Sequence, residues 1–291
     1  MTRPHPSLRR PRKAAGIVAT ALGAGLLAPS AFAALSVYEP FNYTSAANLT
    51  TQNGGTGFSG AWTGATTATI NASGLSYSLS PAVGLAGTTA AATAVANSRT
   101  LTTALGANGT TTYFSFLIRP DNVNTARNAE FGLIGAANLW VGKSFSGTDN
   151  THYILESGTA GSGTGLQATT TTASSGTTVL LVLRADFASG NDTFKLYVNP
   201  TTSVEPGSAA ATLTGIDLGA SISSLQFNGN LGFTFDELKV SSSYADVVPE
   251  PGTWGSVVAL AGIGCIAWLR NRSRIAARKA ALPTPVPVPG H

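Results

Sequence analysis

Cysteine is nearly absent from this chain of 291 residues, and the single one, Cys265, sits in a C-terminal apolar run. Everything before it can hold no disulfide framework and no Cys-ligated metal site, so stability must come from a packed core. Histidine is almost as scarce, and only His152 lies away from the two ends. Histidine-rich zinc coordination is thereby excluded. Ser–His–Asp chemistry would have to use His152, and no G-x-S-x-G elbow accompanies it. Beside Tyr153 in a strand pattern, it reads as a surface or packing residue. No sustained helical period runs through the middle of the chain, and no internal repeat aligns at a fixed spacing.

Paired carboxylates are missing as a motif too. A glycosidase needs two of them facing each other across a bond, yet the acids here are mostly isolated and no acid-x-acid-x-x-acid strand occurs. Asp236 and Glu237 are adjacent, so on a regular strand they would point to opposite faces. The glycine clusters Gly54–Gly57 and Gly161–Gly165 lack the lysine or helix context of a phosphate loop.

Charge is distributed by position. Of 17 basic residues, five precede Ala14 and five follow Leu269. The stretch Ala34–Val248 keeps seven, against twelve of the 13 acids, a net charge of −5. The basic isoelectric point thus belongs to the ends, and gives no support for nucleic-acid binding.

Within that stretch, short strand patterns alternate with turn residues. In Thr111–Ile118, Tyr113, Ser115 and Leu117 would face one way and Phe114, Phe116 and Ile118 the other. Thr178–Phe187 is a continuous aliphatic run, as a strand covered on both faces would be. Asp192–Asn199 alternates again, with Phe194, Leu196 and Val198 on one face. The short loop containing Gly190-Asn191-Asp192 joins the last two runs as a hairpin. "FGLIGA", "NLWVGK", "HYILES", "SLQFNG" and "FTFDELKVSS" are further strand candidates. Ala86–Leu101 reads as a helix on alanine content, or as polar strand and loop on its threonines. The Gly/Ser/Thr stretch Thr159–Thr178 reads as a long surface loop or a solvated edge strand. About 215 residues suffice for one all-β domain.

Two weaker constellations could bind a ligand. Asp186, Asn191 and Asp192 flank one hairpin, and clustered oxygens suit calcium, although turn chemistry alone also favours Asn and Asp there. Trp62 and Trp140, with Tyr77, Tyr113 and Tyr197, could stack on sugars, although such aromatics equally fill a sandwich core or rim.

The ends carry sharper signals. Residues 1–33 have a basic start, an apolar run over Ala14–Ala28 and the small pair Ala31 and Ala33, the pattern of a secretory signal peptide cut after Ala33. Signal peptidase is the enzyme this implies. At the other end, Val248-Pro249-Glu250-Pro251 precedes the apolar Gly252–Leu269 and then Arg270, Arg272 and Arg274. As a helix those 18 residues reach about 27 Å, close to a hydrocarbon core of roughly 30 Å. Trp254 and Trp268 lie near its ends, and the arginines would hold the far side in the cytoplasm. Proline on both sides of Glu250 keeps that segment extended. Residues 249–280 resemble the PEP-CTERM sorting signal. The Pro-rich end, residues 281–291, reads as a disordered appendix.

The middle, 34–248, resembles concanavalin-A-like or LamG-like jelly rolls. "YEPFNY" with "NGGTGFSGAW" is similar to their opening, "LVLRADFASGNDTFKLYVNP" to their central hairpin and "FDELKVSSSYADVV" to their closing strand. That resemblance implies an all-β, two-sheet antiparallel jelly-roll sandwich, but no reaction, because the architecture hosts many functions. The tail's resemblance implies export, transient anchoring in the inner membrane of a Gram-negative bacterium, and cutting by exosortase near Pro249-Glu250-Pro251. The expectation is therefore a non-catalytic surface or extracellular-matrix protein without a cofactor, with adhesion as one role for the body. A lectin-like, polysaccharide-binding body is the alternative, and a divergent glycoside hydrolase a third.

Overall fold

The computed structural model describes residues 35–75, 92–93, 96–122, 127–145, 149–229 and 232–248. Ala31 and Ala33 of the expected signal peptide, Pro249, Glu250 and Pro251 of the expected sorting motif, the apolar segment 252–269 and the arginines Arg270, Arg272 and Arg274 lie outside them. Among the described residues, no helix is long and apolar enough to cross a membrane.

The described residues form fourteen strands and one helical turn: β1 (Val37–Glu39), β2 (Thr63–Gly64), β3 (Ala92–Thr93), β4 (Ala96–Leu105), β5 (Thr111–Pro120), β6 (Ala129–Ile134), β7 (Asn138–Lys143), β8 (His152–Ser157), β9 (Gln167–Thr172), β10 (Val179–Asp186), β11 (Asp192–Val198), β12 (Ala211–Ile216), β13 (Ile222–Gly229), β14 (Phe233–Ser241) and α1 (Tyr244–Val247). They form two seven-stranded sheets. The first has the order β1-β14-β5-β10-β11-β12, with β3 also pairing β14, and the second runs β2-β4-β13-β6-β7-β8-β9. Neighbouring strands are antiparallel throughout. This is the all-β, two-sheet architecture that the alternating runs imply.

The alternation of β5 places Phe114, Phe116 and Ile118 in the core between the sheets, and Tyr113 and Leu117 on the outer side. Phe116 meets Phe131 of the opposite sheet at 5.1 Å, and Phe227 meets Phe235 at 4.5 Å. Each such ring contributes about 1.5–3 kcal/mol on burial. β10 is buried on both faces, because Leu180 and Val182 lie beneath Leu75, Tyr244, Val247 and Val248. That cover explains the unbroken aliphatic run. The threonine-rich stretch does end as an edge strand, β9. What is described of Ala86–Leu101 is strand rather than helix. β12 carries little sequence signal, since only Ala211, Leu213 and the half-buried Ile216 pack against the core.

Candidate functional site

The outer faces of the two sheets differ. That of the first sheet is covered by apolar side chains from α1 and Leu75. On the second sheet, register aligns one row across six strands, Thr63, Ser98, Gln226, Gly132, Trp140 and Glu156. Gly132 leaves room for the indole of Trp140, whose Cζ3 lies 2.3 Å from where a Cβ would stand. The next row runs Asn228, Glu130, Gly142 and Ile154. With no side chain at Gly142, the carboxyls of Glu130 and Glu156 meet above it, both fully buried.

A strap formed by the loop after β8 covers this half of the face. Glu156 accepts the N–H of Gly161 on one oxygen and that of Gly163, at 2.9 Å, on the other. Trp140 Nε1 donates to Gly158 O at 2.8 Å. The glycine cluster Gly161–Gly165 therefore cradles a carboxyl belonging to the protein itself. Asn128 Nδ2 donates to Glu130 Oε2 at 3.0 Å, and Glu130 Oε1 has no N–H or O–H donor among the described residues. Two carboxyls in contact need a proton between them. Burial, and then Glu156, hold Glu130 well above the usual carboxylate range. Every donor here is an N–H, which suits a proton-sharing pair and not a cation.

The other half of the face is open. Ser98, Ser224 and Gln226 are half-buried and Thr100 is exposed, all short and uncharged. The carboxamide of Gln226 makes no hydrogen bond among the described residues, so this stripe retains polar capacity toward solvent.

The acids expected to be isolated are in fact built into local networks. Glu205 is caged by Arg184 Nη1 at 2.9 Å, by Tyr113 Oη at 2.8 Å and by Tyr197 Oη. Partial burial opposes its ionisation, but the hydrogen bonds from Tyr197, Arg184 and Tyr113 outweigh it and hold Glu205 below the usual range. Burial and the Glu205 carboxylate in turn push Tyr113 up to about 12. At Glu237 the register of β14 shifts, with a left-handed φ of 53°. This bulge overturns the opposite-faces expectation for Asp236 and Glu237. Asp236 accepts the N–H of Leu75 (2.8 Å), and Glu237 accepts Tyr38 Oη (3.1 Å) and pairs with Lys239 (3.4 Å), all on the outer side.

The expected ligand residues are placed otherwise. Trp62 is 1% exposed, its ring packed against Phe41, Phe58 and Phe227 and its Nε1 donating to Glu39. Trp140 is 4% exposed, lying between Gly132 and the strap. Neither offers a ring face to a sugar, which corrects the stacking reading. Nor do the calcium candidates converge. Asp186 is held by Arg184 and Thr111, Asp192 turns inward to the N–H groups of Ala188 and Leu218, and Asn191 stays exposed. Among the described residues, no group of three or more His, Cys, Asp or Glu could hold a metal. His152 does find an acid, with Nδ1 2.7 Å from Asp149 Oδ2. The nearby hydroxyl, Thr151 Oγ1, approaches the same nitrogen at 3.1 Å. A nucleophile would instead need the opposite nitrogen.

No family model and no curated protein matches the chain. Among solved structures it is similar to domain 4 of an extracellular arabinanase from Geobacillus stearothermophilus, in complex with arabinotriose. That match has 16% identity and a TM-score of 0.43, covering 73% of this chain and 97% of the other. The lectin UEA-II complexed with galactose gives 10% identity, TM-score 0.38 and coverage of 72% and 99%. An endo-1,3-beta-glucanase from Streptomyces sioyaensis gives 12%, 0.37, and 71% and 95%. At these scores the likeness assigns neither a ligand nor a reaction.

Proposed function

We propose that this chain is an exported surface or extracellular-matrix protein with a non-catalytic β-sandwich body, released from the inner membrane by exosortase near Pro249-Glu250-Pro251. One observation supports the non-catalytic reading above others. Each of the twelve acids between Ala34 and Val248 accepts a hydrogen bond or ion pair from within the body. A glycosidase would need two carboxylates directed at a substrate. The close pair, Glu130 and Glu156, lies buried beneath the strap instead. Export and processing rest on the two terminal sequence patterns. Mass spectrometry of mature protein from the native host tests them. Peptides ending near Val248, and none from Ile263 onward, are expected, and intact C-terminal peptides in the surface fraction would reduce the tail to a plain anchor.

A second reading is favoured by the open stripe of Ser98, Thr100, Ser224 and Gln226, whose hydroxyls and carboxamide suit the hydroxyls of a polysaccharide. Binding on a glycan array, lost in Gln226→Ala, would support adhesion through this face. Turnover of a polysaccharide, abolished by one Asp or Glu substitution, would overturn the non-catalytic reading.

A further inference from the structure

The Glu130–Glu156 contact lies beneath a glycine-rich segment. We infer that Ser157–Gly165 is a strap latched by one proton shared between Glu130 and Glu156, closed in acid and released as pH rises. The geometry has three parts. The strap touches the sheet through four polar contacts, Gly161 and Gly163 N–H on Glu156, Gly158 O on Trp140 and Gly158 N–H on Asn138 O. Glu156 is therefore its main anchor. Glu130 presses on that anchor from the neighbouring strand row, its carboxyl also facing the Gly161 N–H, and its Oε1 finds no N–H or O–H donor among the described residues. Otherwise it is held by its own turn, Ser157 N–H to Thr164 O, and by the Phe145 ring beside Gly161. Gly158, Thr159, Ser162, Thr164 and Gly165 are exposed, and its four glycines all have positive φ. Segments with so few buried contacts open locally at small cost.

Losing the shared proton to solvent leaves two carboxylates in contact out of water, an arrangement that like charges cannot sustain. The groups facing Glu130 are Glu156 on β8, Lys143 on β7 and the carboxamides of Asn128 and Asn228. Asp149 acts on Lys143 from beyond, and the Lys143 ammonium donates to Arg127 O and Ser144 O. The direction follows from burial, which raises Glu130 in the closed state. The closed state thus binds the proton more tightly than the open one. Its advantage is complete below the ordinary carboxylate range and falls as pH climbs toward the raised value. Opening would uncover the Trp140 indole and turn the uncharged stripe beside it acidic.

Amide hydrogen exchange on the full chain in detergent, normalised for the intrinsic pH dependence, tests the latch. Between about pH 5 and about pH 9, protection at Gly161 and Gly163 should drop ~10-fold or more in the wild type. It should stay high in Glu130→Gln, which is neutral at both values and still able to donate to Glu156. Amides of β10 report the core and should remain protected. Flat protection in the wild type, an equal drop in Glu130→Gln, or parallel loss in β10 would each overturn the inference. Should Glu130→Gln fail to fold, Glu156→Gln decides, because it leaves a single carboxyl with no partner to share a proton, so the drop in strap protection between the two pH values must vanish, and a drop equal to the wild type's would overturn the inference.

Discussion

Arg99 and Glu39 form an ion pair of 2.6 Å with side chains 2% and 0% exposed. A buried pair of charges persists only where its remaining donors and acceptors are also satisfied. Glu39 accepts Trp62 Nε1 (2.9 Å), Tyr43 Oη (2.7 Å) and Phe41 N (2.9 Å), while Arg99 donates to Gly60 O (2.7 Å) and Asn53 Oδ1 (2.9 Å). The pair thereby fastens the irregular segment from Glu39 to Trp62 onto β4. Arg99→Ala should cost about 3–5 kcal/mol in urea unfolding, because it strands a buried carboxylate. A Glu39→Met/Arg99→Met double variant should recover part of that loss. An additive loss would mean that the two groups are not coupled.

Tryptophan substitutions should report on folding and not on glycan recognition. Trp62→Ala removes a fully enclosed ring and the donor to Glu39, so about 3–5 kcal/mol of stability should be lost. Trp140→Phe should cost less, chiefly through the hydrogen bond to Gly158, on the order of 1 kcal/mol. If the body binds a glycan, Trp140→Phe should leave that affinity unchanged while lowering the urea midpoint.

What was legible in the sequence follows from what a local pattern can encode. The period-two alternation of β5 and β11 and the unbroken run of β10 fix which faces are buried, because strand geometry alone converts spacing into sides. Whether Trp62 lies in the core or on the rim depends on partners far along the chain, and aromatic content is the same either way. The Glu130–Glu156 meeting depends on the registers of β6, β7 and β8 and on the empty space at Gly142. No spacing within one strand announces it. The bulge at Glu237 was equally hidden, since the left-handed residue is neither Gly nor Asn. The cluster Gly161–Gly165 was legible as an unusual loop, but the carboxyl it cradles is supplied from within the fold.

Two carboxylates should give the stability profile opposite slopes. Burial pushes Asp236 from 3.8 up to about 8. Its folded state holds the proton more tightly, so that contribution is complete below 3.8 and declines as pH rises toward about 8. Glu205 is held below the usual range, so its contribution is present above that range and lost as pH falls through it. Asp236→Asn should flatten the alkaline decline in urea midpoint, at the cost of one hydrogen bond at rest. Glu205→Gln should flatten the acid limb instead. Exchange of these two outcomes would reverse both assignments.

The folded body continues up to Val248, the residue before Pro249. Tyr244, Val247 and Val248 are 6%, 1% and 4% exposed, and Ser115 Oγ donates to Val247 O at 2.6 Å. The rings of Tyr113 and Tyr197 stand edge-on to Tyr244 at 5.7 and 5.8 Å, so the closing turn covers the outer face of the first sheet. Each buried side chain there is worth about 1.5–3 kcal/mol, offset by the entropy of ordering the turn. A chain ending after Val248 should therefore unfold within about 0.5 kcal/mol of one that continues, since the buried set stays whole. A chain ending after Ser243 should lose roughly 2–4 kcal/mol and expose Leu180 and Val182 to solvent. Urea unfolding of the two truncations distinguishes these outcomes. A cut near Pro249-Glu250-Pro251 would then release an intact domain, whereas a cut five residues earlier would release a damaged one. Equal stability of the two truncations would mean that the closing turn contributes nothing to the body and leaves the cut position without a structural reason.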